Sequence, residues 1–423
     1  MLQKVSLGTA DINKYRRVEA EDIVDEVVSL GNELKGLRLC HINSTPFGGG
    51  VAELLVSYIP LMRSLGICAD WQVIRGDRRF FTITKALHNA LQGASFEAIE
   101  QPKTRREYQN HNLANARELD TNYDVFIVND PQPAALRHYL ADNNAKWIWR
   151  CHVDSSQPDE AVWDFLRPYI EQHDAAVFTT EKFIPKSLNI TNITTMAPAI
   201  CPFSSKNMYI KKHVCREMLD NLGFDINRLI ITQVSRFDRW KDPFGTIAAY
   251  RLAKEKVPGL QLALVGSFAP DDPESWDMHA AINAEAIKDD DIFVSSNLTG
   301  VGNMEVNAFQ RASDLIIQKS IREGFGLVVA EALWKETLVV AGNAGGIPLQ
   351  MPGELSNYLV NSVEECADKI VYLLENPAVA IRLGKEGKEI VRQNFLMTRL
   401  LRDELRLIKS LVAKHFHFLI KQH

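Results

Sequence analysis

Two runs of short apolar strands that alternate with helical segments constrain the fold of this chain more than any other feature. The predicted strands of the first run are 37–44, 69–74, 123–130, 146–151 and 174–180. Those of the second run are 228–235, 260–266, 291–296, 314–318 and 337–342. This alternation predicts βαβ units around parallel sheets. One intervening helix, at 51–65, contains Pro60 and is expected to kink or split there.

The segment "MAPAICPFSSKN" (196–207) interrupts the alternation with two prolines and several small polar residues. Such composition is typical of a linker. We therefore expect an α/β chain of two doubly wound, Rossmann-like domains, 1–200 and 201–396, that face each other across a deep cleft. The remaining segment, 397–423, is amphipathic and basic. It could lie on a membrane surface, but the prediction is a helix that crosses back to the first domain.

Composition excludes several classes of protein. A net charge of −5 argues against a general nucleic-acid binder. No apolar run approaches about 18 residues, so no membrane span is expected. The six cysteines form no C-x-x-C pair, which favours free thiols in the cytoplasm over disulfides or a zinc site.

Glycines and cations follow predicted strands at the edge where ligands bind in such sheets. Gly48, Gly49 and Gly50 separate a strand from a helix, either to let a phosphate approach or as a mobile turn. The pattern matches neither a P-loop nor G-x-G-x-x-G. In "VSRFDRWKDP", Arg236 and Lys241 either hold a diphosphate or form a solvated basic loop.

Three further residues are candidates for chemistry. His152, in "RCHVDSS", could hydrogen-bond a sugar hydroxyl or move a proton, or be structural. In "REGFGLVVAE", Glu323 lies in a glycine-rich loop and Glu331 on the following helix. They either serve a ligand site, or Glu323 caps the helix and Glu331 is solvated. No metal-ligand spacing and no nucleophile motif is recognisable.

The spacing E-x7-E from Glu323 to Glu331, with "SRFDRWKD" and the glycine loops in the same order, resembles the family-4 retaining glycosyltransferases of the GT-B fold. The segments "INSTPFGGGVAELL", "WRCHVD", "REGFGL" and "VNAFQRASD" are most similar to the trehalose synthases. The resemblance implies a hexosyltransferase that makes α,α-trehalose reversibly from a nucleoside diphosphate glucose and free glucose. It implies no metal and no cofactor, and it is compatible with a homodimer.

Two alternatives remain open at this point. One is a trehalose phosphorylase, which would convert trehalose and phosphate to glucose 1-phosphate and glucose. The other is a non-catalytic protein that binds sugar nucleotides. All three candidates act on small molecules.

The resemblance also assigns roles to individual residues. Catalytic roles fall to His152, Arg236, Lys241 and Glu323. Donor binding falls to Gly49, Gly50, Gly266, Asn297, Leu298, Gly324, Phe325, Gly326, Leu327 and Glu331, of which Glu331 would bind the ribose. Acceptor binding falls to Asp130, Gln132 and Asp154. The chain departs from the family at Asn129, where a histidine is expected, and this departure weakens the acceptor assignment.

Overall fold

The computed structural model describes residues 1–47, 49–140, 143–268 and 274–420, and in it the chain folds as two α/β units. The first unit comprises residues 1–198 together with the C-terminal helix. The second comprises residues 199–268 and 274–396. Each unit is built around its own sheet.

The first unit has a seven-stranded sheet in the order β1-β3-β2-β4-β5-β6-β7. Its strands are β1 (Gln3–Lys4), β2 (Arg38–Asn43), β3 (Cys68–Val73), β4 (Val125–Asn129), β5 (Lys146–Arg150), β6 (Ala175–Phe178) and β7 (Ile193–Thr195). Only β1 is antiparallel to its neighbour among these strands. The central strands are almost wholly buried, as expected when helices cover both faces of a parallel sheet.

The helices between these strands are α1 (Glu21–Glu33), α2 (Gly50–Ser64), α3 (Arg78–Leu91), α4 (Pro102–Glu118), α5 (Leu136–Tyr139) and α6 (Glu160–Ile170). Of the kink or split expected at Pro60, the split does not occur, and α2 continues through Pro60 as one element. An interior proline costs a helix about 3 kcal/mol. Pro60 and its neighbours Ile59 and Leu61 are buried, so packing of this face offsets that cost.

The second unit has a parallel six-stranded sheet in the order β10-β9-β8-β11-β12-β13. Its strands are β8 (Ile230–Arg236), β9 (Gln261–Ser267), β10 (Ile292–Ser296), β11 (Leu315–Gln318), β12 (Val339–Gly342) and β13 (Leu359–Val360). Its helices are α7 (Lys212–Asn221), α8 (Pro243–Lys256), α9 (Ser275–Ala286), α10 (Asn303–Ala312), α11 (Leu327–Trp334), α12 (Val363–Glu375) and α13 (Pro377–Asn394). This strand order is that of a doubly wound nucleotide-binding sheet, so the predicted fold class is confirmed.

The C-terminal helix α14 (Met397–Ile420) packs against α1 and α2 of the first unit. Its apolar face is buried through Leu400, Leu405 and Ile408. Arg406 of α14 pairs with Glu26 of α1. In the part of the chain that the structure describes, no helix combines the length and apolarity that a bilayer crossing requires.

A buried ion pair joins α14 to the sheet of the first unit. Arg150, the last residue of β5, donates from Nη1 to Glu404 Oε2 at 2.9 Å, and both side chains are only 2–3 % exposed. The imidazole of His41, on β2, lies 3.4 Å from the other carboxylate oxygen. Burial alone would raise the pKa of Glu404, but His41 and Arg150 lower it below its ordinary value. Glu404 therefore stays ionised and supplies the counter-charge for Arg150.

We predict that Glu404→Leu destabilises the first unit by about 3–5 kcal/mol, because Arg150 would be left buried without its carboxylate. Urea unfolding followed by tryptophan fluorescence measures the change, since Trp71, Trp147 and Trp149 are buried in this unit.

The matched control is Glu354→Leu, which breaks an exposed ion pair with Arg382 in the second unit. An exposed pair contributes less than about 1 kcal/mol. Equal small losses for both variants would show that the buried pair does not anchor α14.

Candidate active site

The sheet of the second unit reverses its strand order between β8 and β11. From β8 the strands run through β9 to β10 on one side, and from β11 through β12 to β13 on the other. Ligands of such sheets bind beyond the carboxyl ends of the strands at this reversal. Arg236 is the last residue of β8, Lys241 follows that strand, and Glu323 follows β11. The structure therefore brings these three predicted residues to the two strands that flank the reversal.

Lys241 and Glu323 form an ion pair at this edge. Lys241 Nζ donates to Glu323 Oε2 at 2.6 Å. The same oxygen accepts from Ser320 Oγ at 3.2 Å and from Gln318 Nε2 at 3.4 Å. The Lys241 side chain is 16 % exposed and that of Glu323 10 %. Because little water reaches the pair, each charge compensates the other, and Glu323 is fixed as a hydrogen-bond acceptor.

Arg236 has a different partner. Its Nη2 lies 3.7 Å from Asp238 Oδ2, and about a quarter of its side chain is exposed. Asp238 in turn accepts a hydrogen bond from the Trp240 N–H at 2.9 Å. The distance from Arg236 to Asp238 exceeds that of a hydrogen bond. Arg236 therefore lies at this edge with Asp238 beside it, at ion-pair rather than hydrogen-bond distance.

Glycines at the end of β12 and just after it fix the backbone of the Glu323 loop. A Cβ atom added to Gly345 would lie 1.5 Å from the backbone oxygen of Glu323, and Gly345 has a φ of +54°. A Cβ on Gly342 would lie 2.1 Å from the oxygen of Ser320. The loops after β11 and β12 therefore touch backbone to backbone, and only glycine permits this approach.

The glycine-rich turn between Glu323 and α11 is also held in place. Gly326 adopts φ +81° immediately before α11 begins at Leu327. Gly324 and Phe325 lie between Glu323 and Gly326. The ring of Phe325 is buried, and its centroid is 5.3 Å from that of the Phe395 ring.

Glu331 lies one helix turn further along, in a separate buried network. It is 2 % exposed. Its Oε1 lies 3.2 Å from Lys206 Nζ, and its Oε2 accepts from Gln310 Nε2 at 3.2 Å. The two glutamates of the E-x7-E spacing therefore have different partners. Glu331 is not solvated and Glu323 does not cap α11, as the alternative interpretation required.

The residues assigned to the nucleoside meet at the ends of β9 and β10. Gly266 pairs in register with Ser296, directly before Asn297 and Leu298. The Oδ1 atom of Asn297 accepts from the Phe268 N–H at 3.0 Å, and Leu298 is 60 % exposed. A Cβ on Gly266 would lie 2.2 Å from the ring of Phe237. The glycine is thus explained by packing against Phe237 within the protein.

In the first unit, predicted residues follow β2, β4 and β5. Gly49 precedes α2 with an extended backbone, and Gly50 begins that helix. Gly48, the first glycine of the motif, lies outside the described residues. Asp130 follows β4 with a φ of +66°, and its carboxylate accepts from the His152 N–H after β5 at 2.8 Å.

The imidazole of His152 is oriented by Asn129. The Nδ2 atom of Asn129 donates to the backbone oxygens of Ile42 and Ile127, so its Oδ1 is the atom that accepts. His152 Nε2 lies 2.9 Å from that Oδ1 and must carry the proton. Burial, and then the charges of Arg150 and His41, lower the pKa of His152 well below its ordinary value. The ring is therefore neutral at pH 7, with Nδ1 as its acceptor.

The remaining acceptor candidates are buried. Asp154 is 3 % exposed, and its Oδ1 accepts from both the N–H and the Oγ of Ser156. Gln132 is 8 % exposed, and its Oε1 has no hydrogen-bond partner among the described residues. An unpaired buried amide oxygen is costly, which makes Gln132 the candidate of this pair best suited to receive a ligand hydroxyl.

Sequence reasoning missed several polar residues of these networks. Ser320 supports Glu323, and its neighbour Lys319 pairs with Asp242, the residue that caps α8. Their position directly after β11 was the available signal. No such signal marked Lys206 and Gln310, because their contact with Glu331 depends on tertiary packing.

Three potential metal ligands also approach one another among the described residues: Asp77, Glu107 and His111. Asp77 caps α3, and Glu107 and His111 lie on α4, away from every predicted site residue in sequence. Asp77 is exposed, and Arg79 lies 3.5 Å from Glu107. This arrangement is explained by surface ion pairs.

Comparison with known proteins assigns both halves of the chain. Residues 41–185 match the family described as trehalose synthase, N-terminal domain, and residues 216–390 match glycosyl transferases group 1. The chain is 45 % identical to a trehalose synthase of Rubrobacter xylanophilus over 98 % of its own length and 100 % of that protein. It is 42 % identical to a trehalose synthase of Pyrococcus horikoshii over 97 % and 99 %.

The chain is also similar, at lower identity, to a trehalose phosphorylase and to a solved trehalose-phosphate synthase. A trehalose phosphorylase of Grifola frondosa is 25 % identical over 84 % of this chain and 55 % of that protein. The solved α,α-trehalose-phosphate synthase (UDP-forming) of Burkholderia xenovorans, in complex with glucose-6-phosphate, superposes with a TM-score of 0.70 at 14 % identity. It covers 87 % of this chain and 99 % of its own. This likeness shows the GT-B fold.

The contact between the two loops of the site generates a prediction. Gly345→Ala should destabilise the second unit by about 2–4 kcal/mol, because the new Cβ meets the Glu323 backbone at a left-handed position. Thermal unfolding measures the loss.

Gly353→Ala is the matched control. Gly353 has a similar φ of +61°, but a Cβ there would meet nothing nearer than Glu386 Oε1 at 3.8 Å. Gly353→Ala should reduce the stability of the second unit by only about 1 kcal/mol. Equal losses for the two variants would mean that the loops do not touch as described.

Proposed function

The chain belongs to the trehalose synthase family, and we propose that it transfers glucose from a nucleoside diphosphate glucose to free glucose to form α,α-trehalose. The transfer retains the configuration of the donor and is reversible. The identity to trehalose synthases over nearly the whole chain supports this reaction, whereas the phosphorylase match is far weaker and covers about half of that protein.

The observation that carries the proposal is the Lys241–Glu323 pair at the strand reversal between β8 and β11. A diphosphate that arrives there meets Lys241 and Arg236, both already placed. Lys241 can turn one of its three donor hydrogens to phosphate while it keeps Glu323. Fixed cations stabilise the negative charge that develops on the leaving group.

The chemistry is one exchange of bonds at the anomeric carbon. The bond from C1 of the donor glucose to the diphosphate oxygen breaks, and a bond from C1 to the anomeric oxygen of the acceptor forms on the same face. The acceptor proton passes to the departing phosphate. We assign Glu323 no role as a carboxylate nucleophile, because Lys241, Ser320 and Gln318 all draw on the charge of its carboxylate through Oε2. Glu323 instead accepts hydrogen bonds from the donor glucose.

The other donor roles follow the same assignment. The backbone of residues 324–327 holds the donor glucose and distal phosphate, Glu331 holds the ribose, and the residues Gly266, Asn297 and Leu298 flank the nucleoside. The first unit has the acceptor role, with Asp130, Gln132 and Asp154 as ligands of glucose.

His152 is assigned to the donor sugar. As a neutral ring with an accepting Nδ1, it suits a hydrogen bond from a sugar hydroxyl better than proton transfer. Gly49 and Gly50 are assigned to the diphosphate.

The setting of the reaction is part of the proposal. The donor carries the activated glucose, and cations of the chain compensate the diphosphate, so no cofactor or metal is assigned. The described cysteines are all free thiols, which suits the cytoplasm. A homodimer remains a prediction.

The proposal predicts the products of two reactions. With ADP-, UDP- or GDP-glucose and free glucose, the protein should release the nucleoside diphosphate together with an equal amount of a disaccharide that trehalase cleaves. With trehalose and inorganic phosphate it should form no glucose 1-phosphate. The reverse pattern would identify a phosphorylase, and nucleotide binding without turnover would identify a binding protein.

A variant ties the reaction to the site. Lys241→Met should reduce turnover at least about 100-fold, because one preorganised charge donor contributes several kcal/mol to such a transition state. Lys256→Met, which removes an exposed lysine paired with Asp368 in the same unit, should leave turnover unchanged.

A further inference from the structure

The carboxylate of Glu331 depends on a lysine that lies outside α11. Its Oε1 is 3.2 Å from Lys206 Nζ, and the side chains are 3 % and 11 % exposed. A buried carboxylate without a nearby cation would be strongly disfavoured. Lys206 therefore places a compensating positive charge beside the carboxylate of Glu331.

Lys206 belongs to a segment, residues 201–208, that is bound to α10. Asn307 Nδ2 donates to the backbone oxygens of Ser205 and Met208, each at 2.9 Å. Arg311 Nη2 donates to the oxygens of Asn207 and Met208. These bonds lie on both sides of Lys206 and fix its backbone. The ammonium group is thus delivered to Glu331 by a segment that is itself anchored.

Lys335, the second lysine of the network, hydrogen-bonds to other groups. Its Nζ donates to Asn207 Oδ1 and Gln310 Oε1, each at 2.7 Å, and to the backbone oxygen of Glu331 at 3.0 Å. Three acceptors use its three hydrogens, and burial lowers its pKa well below the ordinary value. Lys335 orients Gln310, whose Nε2 therefore points to Glu331. The charged contact with the Glu331 carboxylate itself is left to Lys206.

The arrangement leaves acceptor capacity on the carboxylate. Each carboxylate oxygen can accept two hydrogen bonds. Lys206 is close to one oxygen of Glu331 and Gln310 to the other. One position on each oxygen therefore remains for a ligand. Two adjacent acceptors at a fixed spacing match a vicinal diol.

We propose that Lys206 is a positioning residue for the donor: it compensates the charge of Glu331 and orients its carboxylate so that both oxygens accept from the 2′- and 3′-hydroxyls of the ribose. This inference rests on the proposed role of Glu331 in donor binding. It assigns the preference for a ribonucleotide over a deoxyribonucleotide to a lysine of segment 201–208.

The test compares ADP and UDP with their 2′-deoxy analogues by calorimetric titration of the full chain. The native protein should bind the ribonucleotide at least about tenfold more tightly, as expected for a hydrogen bond to a charged group. Lys206→Met should reduce this ratio to less than about threefold. Lys206→Arg, which restores the positive charge and the donors, should recover most of the native ratio.

Kinetics provide a second measurement. Lys206→Met should raise the donor KM about tenfold or more, while kcat and the KM for glucose change less than about threefold. Lys212→Met, which removes an exposed lysine at the start of α7, is the control and should change none of these values. A loss of ribonucleotide affinity in Lys206→Met with an unchanged ribose-to-deoxyribose ratio would indicate a general structural role and would overturn the inference.

Glu331→Gln separates the two levels of the argument. If this variant keeps the native ratio, the proposed role of Glu331 in ribose binding fails. If it removes the preference for the ribonucleotide while Lys206→Met retains that preference, only the role of Lys206 fails. Should Lys206→Met not fold, Lys206→Gln retains a neutral donor, and a ratio reduced at least about threefold supports the inference whereas a native ratio overturns it.

Discussion

The ion pair between Lys241 and Glu323 is the interaction on which the candidate site depends. It joins the loop after β8 to the loop after β11. Glycines at the end of β12 and just after it allow close backbone contact that fixes the loop after β11. A carboxylate in so little water needs a permanent counter-charge. In the proposed reaction the same lysine also stabilises the charge that develops on the diphosphate, so one contact would serve both folding and catalysis.

The same rule of paired buried charges recurs in the rest of the chain. Lys206 compensates Glu331 in the second unit. Arg150 and Glu404 compensate each other in the first, where the pair also attaches the C-terminal helix to the central sheet. Arg150 further lowers the pKa of His152. The residue that attaches the C-terminal helix to the sheet therefore also acts on the electrostatics of a candidate site residue.

Much of the fold could be predicted from the sequence, because a fully buried parallel strand leaves a short apolar run that stands out between helices. All ten predicted strands are present within a few residues. The strands that were missed, β1, β7 and β13, have two or three residues at or near sheet edges, where pairing rather than composition defines them. The sequence left a kink and a split at Pro60 open, because the path of α2 there depends on tertiary packing.

The candidate site was predictable to a lesser extent. Position after a strand was enough to select Arg236, Lys241 and Glu323. It did not reveal that two of them bind each other, nor that Asn129 fixes the tautomer of His152, since both contacts join strands distant in sequence.

The most direct test of the account is a crystal structure with a bound nucleoside diphosphate glucose. The account predicts Lys241 Nζ on a phosphate oxygen, Glu323 on a hydroxyl of the donor glucose and both oxygens of Glu331 on the ribose diol, at hydrogen-bond distances of about 2.6–3.2 Å. A nucleotide whose phosphates lie away from Lys241, or whose ribose hydroxyls bind groups other than Glu331, would contradict it.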